Sequence, residues 1–360
     1  MKRREFSKLA VGALALNSLT AILPSRVFGN DPENLPRVPL GLCNHSLRAM
    51  RPNADQLIDY AIEHKLDSIL LNSFAPLESR ETTYLESLRD RALRHGIGIN
   101  VGVGSISETS TRFSAKHGSA RELLEEGIRV AAALGSPVVG CRVGTIDDRY
   151  MEGGIQAHVE AVSDLMQSLR GPALDAGVKF AFENHAGDLR SGELLALIRE
   201  TGTDICGALL DLGNAIWALE DPIDAIETLG SLTICTSVRD VMLWKTDDGA
   251  MFQWTAIGQG LMDYPHYVQR LVALCPGMPL HVETISNSPR PVPFLTPQFW
   301  KGFPDMPASE LTGFLKLLKR GHPLELLEPP QGVDRKSFDI AYQKAELESS
   351  LRYLKEHCGV

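Results

Sequence analysis

Basic residues are in the minority: 36 Lys and Arg stand against 45 Asp and Glu in 360 residues, a formal charge of −9 at pH 7. Nucleic acid is therefore not an expected partner, because binding a phosphate backbone needs a concentrated positive face. The six cysteines include no Cys-x-x-Cys pair, which removes zinc knuckles and dithiol redox motifs, and no disulfide is expected. Cys43, Cys141, Cys206 and Cys235 fall in or beside apolar runs, where a small thiol packs as a hydrophobe. No Gly-x-Gly-x-x-Gly or Walker loop follows the first apolar run; Gly102-Val103-Gly104, after the third, is only a fragment of a glycine-rich turn. Low-complexity tracts and short repeats are missing too. With 44% hydrophobic and 22% charged residues, what is left is a soluble globular chain with a substantial core.

The first residues read as a targeting segment. Lys2-Arg3-Arg4-Glu5-Phe6-Ser7-Lys8 is a positive stretch with paired arginines, and an apolar run follows from Leu9 to Leu23. That run is about fifteen residues and holds Asn17, Ser18 and Thr20, short for the ~20 residues of a membrane span. It resembles a twin-arginine export signal over 1–29, with cleavage after Gly29. The expectation is an exported, periplasmic protein with no stable membrane anchor once the signal is cut. A linker, 30–37, would follow.

Beyond it, short apolar runs bounded by turn residues recur at Pro39–Cys43, Ser68–Leu71, Ile97–Val103, Pro137–Val143, Val178–Phe182, Ile205–Leu210, Leu232–Val238 and Leu280–Val282. Between them lie segments of helical spacing, such as Ile155, Val159, Val162, Met166 and Leu169. Strands apolar on both faces suit a parallel sheet covered by helices. Eight such units predict an α/β fold, a single-domain (β/α)8 TIM barrel over 38–325, with a doubly wound open sheet as the alternative. Residues 326–360 would form a C-terminal extension with a helix. Two stretches break the rhythm. Residues 241–262 read as a hairpin turning at Asp248-Gly249. Residues 286–307, rich in proline and aromatics, read as a long loop. In a barrel both belong to the active-site face; the second could instead wrap the barrel or join copies into a homo-oligomer.

Catalytic groups of such barrels come from the C-terminal ends of strands. Here the fifth, sixth and eighth runs end in acids: Glu183 in Phe180-Ala-Phe-Glu-Asn-His185, Asp211 in Ala208-Leu-Leu-Asp-Leu-Gly-Asn214, and Glu283 in Pro279-Leu-His-Val-Glu-Thr284. Each alone could be a helix cap. Three converging in one low-dielectric pocket would repel one another, which a divalent cation relieves. Oxygen donors favour Mn2+ or Mg2+, with Zn2+ a further option.

Glu183-Asn184-His185, Asp211-x-Gly-Asn214, Val238-Arg239-Asp240, Ile257-Gly-Gln-Gly-Leu-Met-Asp263 and Val282-Glu283 resemble, in order and spacing, the sugar phosphate isomerase/epimerase family. That family is part of the xylose isomerase-like TIM barrel superfamily. The resemblance implies a metal held by Glu183, Asp211 and Glu283, with a fourth ligand, usually His, at the end of the seventh strand. This sequence has Ser237 at that position, and Arg239 where the family has Lys. His185, His281 and His45 are the histidines that could replace the missing nitrogen. The AP endonuclease branch fits poorly, since the stretch before Gly258 offers Phe252, Trp254 and Thr255 in place of further histidines.

The function so implied is a metal-dependent isomerase or epimerase acting on a small carbohydrate through an enediolate. Glu183 and Glu283 would serve as base and acid. His185, Arg239 and His45 would hold hydroxyls, and Trp254 or Trp300 would stack on a sugar face. A lyase using the same enolate is the nearest rival. A non-catalytic carbohydrate-binding barrel is the second.

Overall fold

The computed structural model describes residues 37–360; the expected export signal, 1–29, and the linker up to residue 36 lie outside them. Among the described residues eleven strands occur: β1 Leu40–Cys43, β2 Ser68–Leu71, β3 Gly98–Ser105, β4 Val138–Arg142, β5 Lys179–Glu183, β6 Cys206–Asp211, β7 Thr233–Ser237, β8 Asp240–Thr246, β9 Gly249–Thr255, β10 Leu280–Val282 and β11 Arg290–Val292. Eight of them pair in parallel in the order β10-β1-β2-β3-β4-β5-β6-β7. A parallel bridge between Val238 and Val282 joins the two ends, with Val238 N–H donating to His281 O and Glu283 N–H to Val238 O. The eight apolar runs of the sequence are these eight strands, so the molecule is a (β/α)8 barrel and not an open sheet.

Local chemistry sets the alternation. β1 and β2 are buried along their whole length, as strands covered on both faces must be. The intervening helices announce their starts: Asn53 and Gln56 close a capping box on helix Ala54–Glu63, and Ser119 and Glu122 do so on helix Ala120–Leu134. Among the described residues no helix is long and apolar enough to cross a membrane.

Two departures from the βα rhythm build the mouth of the barrel. β8 and β9 form the expected antiparallel hairpin, pairing Asp240 with Thr255 through to Thr246 with Gly249. The proline-rich stretch is not all loop, since β11 adds to this hairpin beside β9. Phe252, Phe294, Phe299, Phe303 and Phe314 then close a second apolar cluster over the barrel. The C-terminal helix Arg335–His357 packs Leu347, Leu351 and Leu354 into the main core.

Candidate active site

Glu183 ends β5, Asp211 ends β6, Ser237 ends β7, and Glu283 follows β10. The three acids therefore reach the same end of the barrel, each with an oxygen within 4.8 Å of the others. Neighbouring residues fix them. Asn184 clamps the strand ends, its amide donating to Asp211 O and accepting from Asp211 N–H, both at 2.7 Å. Asn214 donates its backbone N–H to Asp211 Oδ1 at 3.1 Å and its side-chain amide to Glu183 Oε1 at 3.3 Å. Asp211 is thus a helix cap and a site residue at once.

A buried arginine contacts two of these acids. Arg239, 2% exposed, pairs through Nη2 with Asp211 and, at 3.2 Å, with Glu283 Oε1. Its guanidinium lies 4.8 Å from the centroid of the Trp254 ring, a cation–π distance. A Cβ at Gly213 would run into Arg239 Cγ and sit 2.8 Å from Trp254 Cδ1, so the glycine of Asp211-x-Gly-Asn214 makes room for the arginine. Ser237 Oγ donates to Glu283 Oε2 at 2.7 Å.

Three carboxylates are a donor set of the kind hard divalent ions take. The rest of the site does not match such an ion: the hydroxyl in the fourth place is spent on Glu283, and Arg239 already pairs with Asp211 and Glu283. Among the described residues no histidine joins the cluster. The residues present therefore do not fit a four-ligand metal centre.

The charges divide the acids. Burial, then the fields of Glu283 and Asp211, push Glu183 up to about 8. Glu283 is held at about 2, because Arg239, His45 and the Ser237 hydroxyl outweigh its burial. The two carboxyls are thus pushed apart, Glu183 toward its protonated form and Glu283 toward its ionised form, the separation an acid/base pair needs.

The three histidines have different places. His185 donates Nδ1–H to Gly144 O at 2.9 Å, and burial followed by the Arg142 charge keeps it neutral, well below its usual value; its Nε2 is left as an acceptor. His45 lines the same cavity, its basicity lowered by burial. His281 is spent below the site on Ser68, Asn100 and Thr236.

Above the acids lies a cavity of about 940 Å3, lined by His45, Glu183, His185, Ser237, Arg239, Trp254 and Glu283 among others, large enough for a sugar. Trp300 is not part of its wall: it donates Nε1–H to Phe294 O and packs in the second cluster. Sequence reasoning missed Trp217, Arg142 and Arg290, which also line the cavity. Arg142 follows the same rule as Glu183, a charged residue ending an apolar strand; Trp217 and Arg290 carry no comparable signal. Asp240 turns out to hold the hairpin. Its carboxylate accepts four backbone N–H groups, from Val241, Gly258, Gly260 and Met262, at 2.8 to 3.1 Å. A Cβ at Gly260 would collide with that carboxylate, which explains the second glycine of Gly258-Gln-Gly260.

Comparison with known proteins agrees with the fold. Residues 58–300 match the family model described as xylose isomerase-like TIM barrel. An uncharacterized protein of Escherichia coli (strain K12), YihM, is 25% identical over 236 residues, 64% of this chain and 65% of its own length; the match thus spans about two thirds of that relative. A crystal structure of D-psicose 3-epimerase in the presence of D-fructose superposes with a TM-score of 0.59 at 15% identity, covering 90% of this chain and 100% of the other. A structure of the IOLI protein with a bound zinc atom does so at 0.54 and 14%, covering 88% and 99%. Divalent metal is thus found in a structural neighbour; in this chain three carboxylates lie close together with Arg239 between two of them. With more than half of its length matched, this chain belongs to the xylose isomerase-like TIM barrel family.

Proposed function

We propose that the protein is an exported sugar isomerase or epimerase that moves a proton next to a carbonyl. The observation that carries this reading is the convergence of Glu183 and Glu283 beside one buried guanidinium in a sugar-sized cavity, where burial and the neighbouring acids raise Glu183 and Arg239 lowers Glu283. Glu283 takes the proton from the carbon next to the carbonyl. The electron pair moves onto the carbonyl oxygen, and the positive charge of Arg239 favours the resulting enediolate. Glu183 returns a proton to the enediolate carbon, on the opposite face for an epimerisation. Exchange with water restores both acids. His185, with Nδ1 fixed on Gly144, accepts a substrate hydroxyl at Nε2, and Trp254 and Trp217 offer ring faces to the sugar. The Mn2+ or Mg2+ implied by the family resemblance has no step here, because Ser237 and Arg239 do not fit its site.

The test is proton exchange in D2O. Ketoses and their oxidised or glycosidic derivatives are incubated with the purified protein and read by mass spectrometry and proton NMR. Deuterium at the carbon next to the carbonyl, with sugar mass otherwise unchanged and loss of exchange in Glu183→Gln, supports the proposal. Loss of water or an aglycone would make the protein a lyase. Sugar binding without exchange, unchanged in Glu183→Gln and Glu283→Gln, would make it a binding protein.

A further inference from the structure

The chain carries net negative charge, yet its cavity wall is rich in arginine. Arg112, Arg142 and Arg290 line it from three separate places: the segment after β3, the end of β4 and the start of β11. Unlike Arg239, none of the three has a carboxylate partner among the described residues. The Nε atoms of Arg142 and Arg290 are buried and make no hydrogen bond there. The guanidinium carbon of Arg290 lies 5.8 Å from the Trp217 ring centroid. The acid at the cavity rim is the exposed Asp147.

Arg142 and Arg290 are half-buried; a guanidinium partly withdrawn from water without a carboxylate partner is costly, and an anionic ligand would supply the missing charge. Its planar fork matches the paired oxygens of a carboxylate, sulfate or phosphate. A positive cavity in a negative molecule also concentrates anions from solution. We propose that the cavity binds an acidic sugar, with Arg142 and Arg290 holding its oxyanion group and Arg112 guiding it in at the rim.

This assignment names the substrate class of the site proposed above and rests on its being a sugar site, but anion binding is measured separately from turnover. Calorimetric titrations of the purified chain use neutral D-glucose, D-glucuronate, D-glucose 6-phosphate and D-glucose 6-sulfate, and inorganic sulfate against chloride at equal ionic strength. The expected result is saturable sulfate binding, and at least one charged sugar bound about tenfold or more tighter than glucose. The carboxylate, phosphate and sulfate arms then decide which oxyanion it is. Arg142→Met and Arg290→Met should each remove most of that preference. Arg142→Lys and Arg290→Lys, which keep the charge but not the fork, should weaken it partly, and added salt should weaken it in the unaltered protein. Three results would overturn the assignment: no saturable sulfate binding up to about 20 mM, glucose bound as tightly as its charged forms, or folded arginine variants that bind like the original. Anion binding without deuterium exchange would leave this inference standing and sink the isomerase reading alone.

Discussion

Replacing Glu183 with Gln should make the protein more stable in mild alkali. Folding raises this carboxyl from 4.5 to about 8. A carboxyl whose folded value lies above its unfolded one contributes stability that is complete below pH 4.5 and is lost as pH rises through 8. At about 1.36 kcal/mol per unit, the difference has an upper bound near 5 kcal/mol. Glu183 keeps some solvent contact through the cavity, which reduces the gain to about 2–4 kcal/mol. A glutamine cannot ionise, and it keeps an oxygen for the Asn214 amide. Urea unfolding followed by circular dichroism at pH 5, 6.5 and 8.5 measures the effect. The two proteins should be similar at pH 5 and diverge steadily above it. Other titrating groups are common to both and cancel in the difference. Equal stability at pH 8.5, or a less stable variant, would refute the reasoning. A divalent ion among the carboxylates would produce that outcome, because Gln would then weaken a ligand. A stabilising change at this position is what a residue kept for chemistry against its folding cost should show.

Elemental analysis of the purified chain should find far less than one divalent ion per molecule, while Ser237→His/Arg239→Ala, which restores a nitrogen and removes the resident cation, should bind Mn2+ by electron paramagnetic resonance; stoichiometric metal in the unaltered protein, lost in Glu183→Ala/Asp211→Ala, would overturn the reading of Arg239. Asp240→Asn sets an amide where the carboxylate accepts four N–H groups, so about two of those bonds fail, at about 1–3 kcal/mol each; urea midpoints measure the loss, and a cost under about 0.5 kcal/mol would show the hairpin is held otherwise. Arg3→Lys/Arg4→Lys in the full chain should block export through the twin-arginine route, read by fractionation; an unchanged periplasmic yield would discard that assignment.

Local chemistry made the barrel legible. Each strand run, such as Ser68–Leu71, is apolar on both faces and bounded by turn residues, and that pattern is written in adjacent positions. Glu183, Asp211 and Glu283 were equally readable, because strand ends in a closed barrel must face its mouth. The sequence by itself therefore determined the fold, the three acids and a hairpin whose turn falls at Asp247-Asp248, one residue before the expected Asp248-Gly249. Tertiary structure decided what those acids hold. Arg239 meets Asp211 across 28 positions, and Ser237 meets Glu283 across 46, distances over which sequence periodicity carries no information. The same holds for the cavity wall, where β11 brings Arg290 beside Trp217. A charge reads alike in any local window, and only packing determines whether it finds a partner in the protein or is left for a ligand.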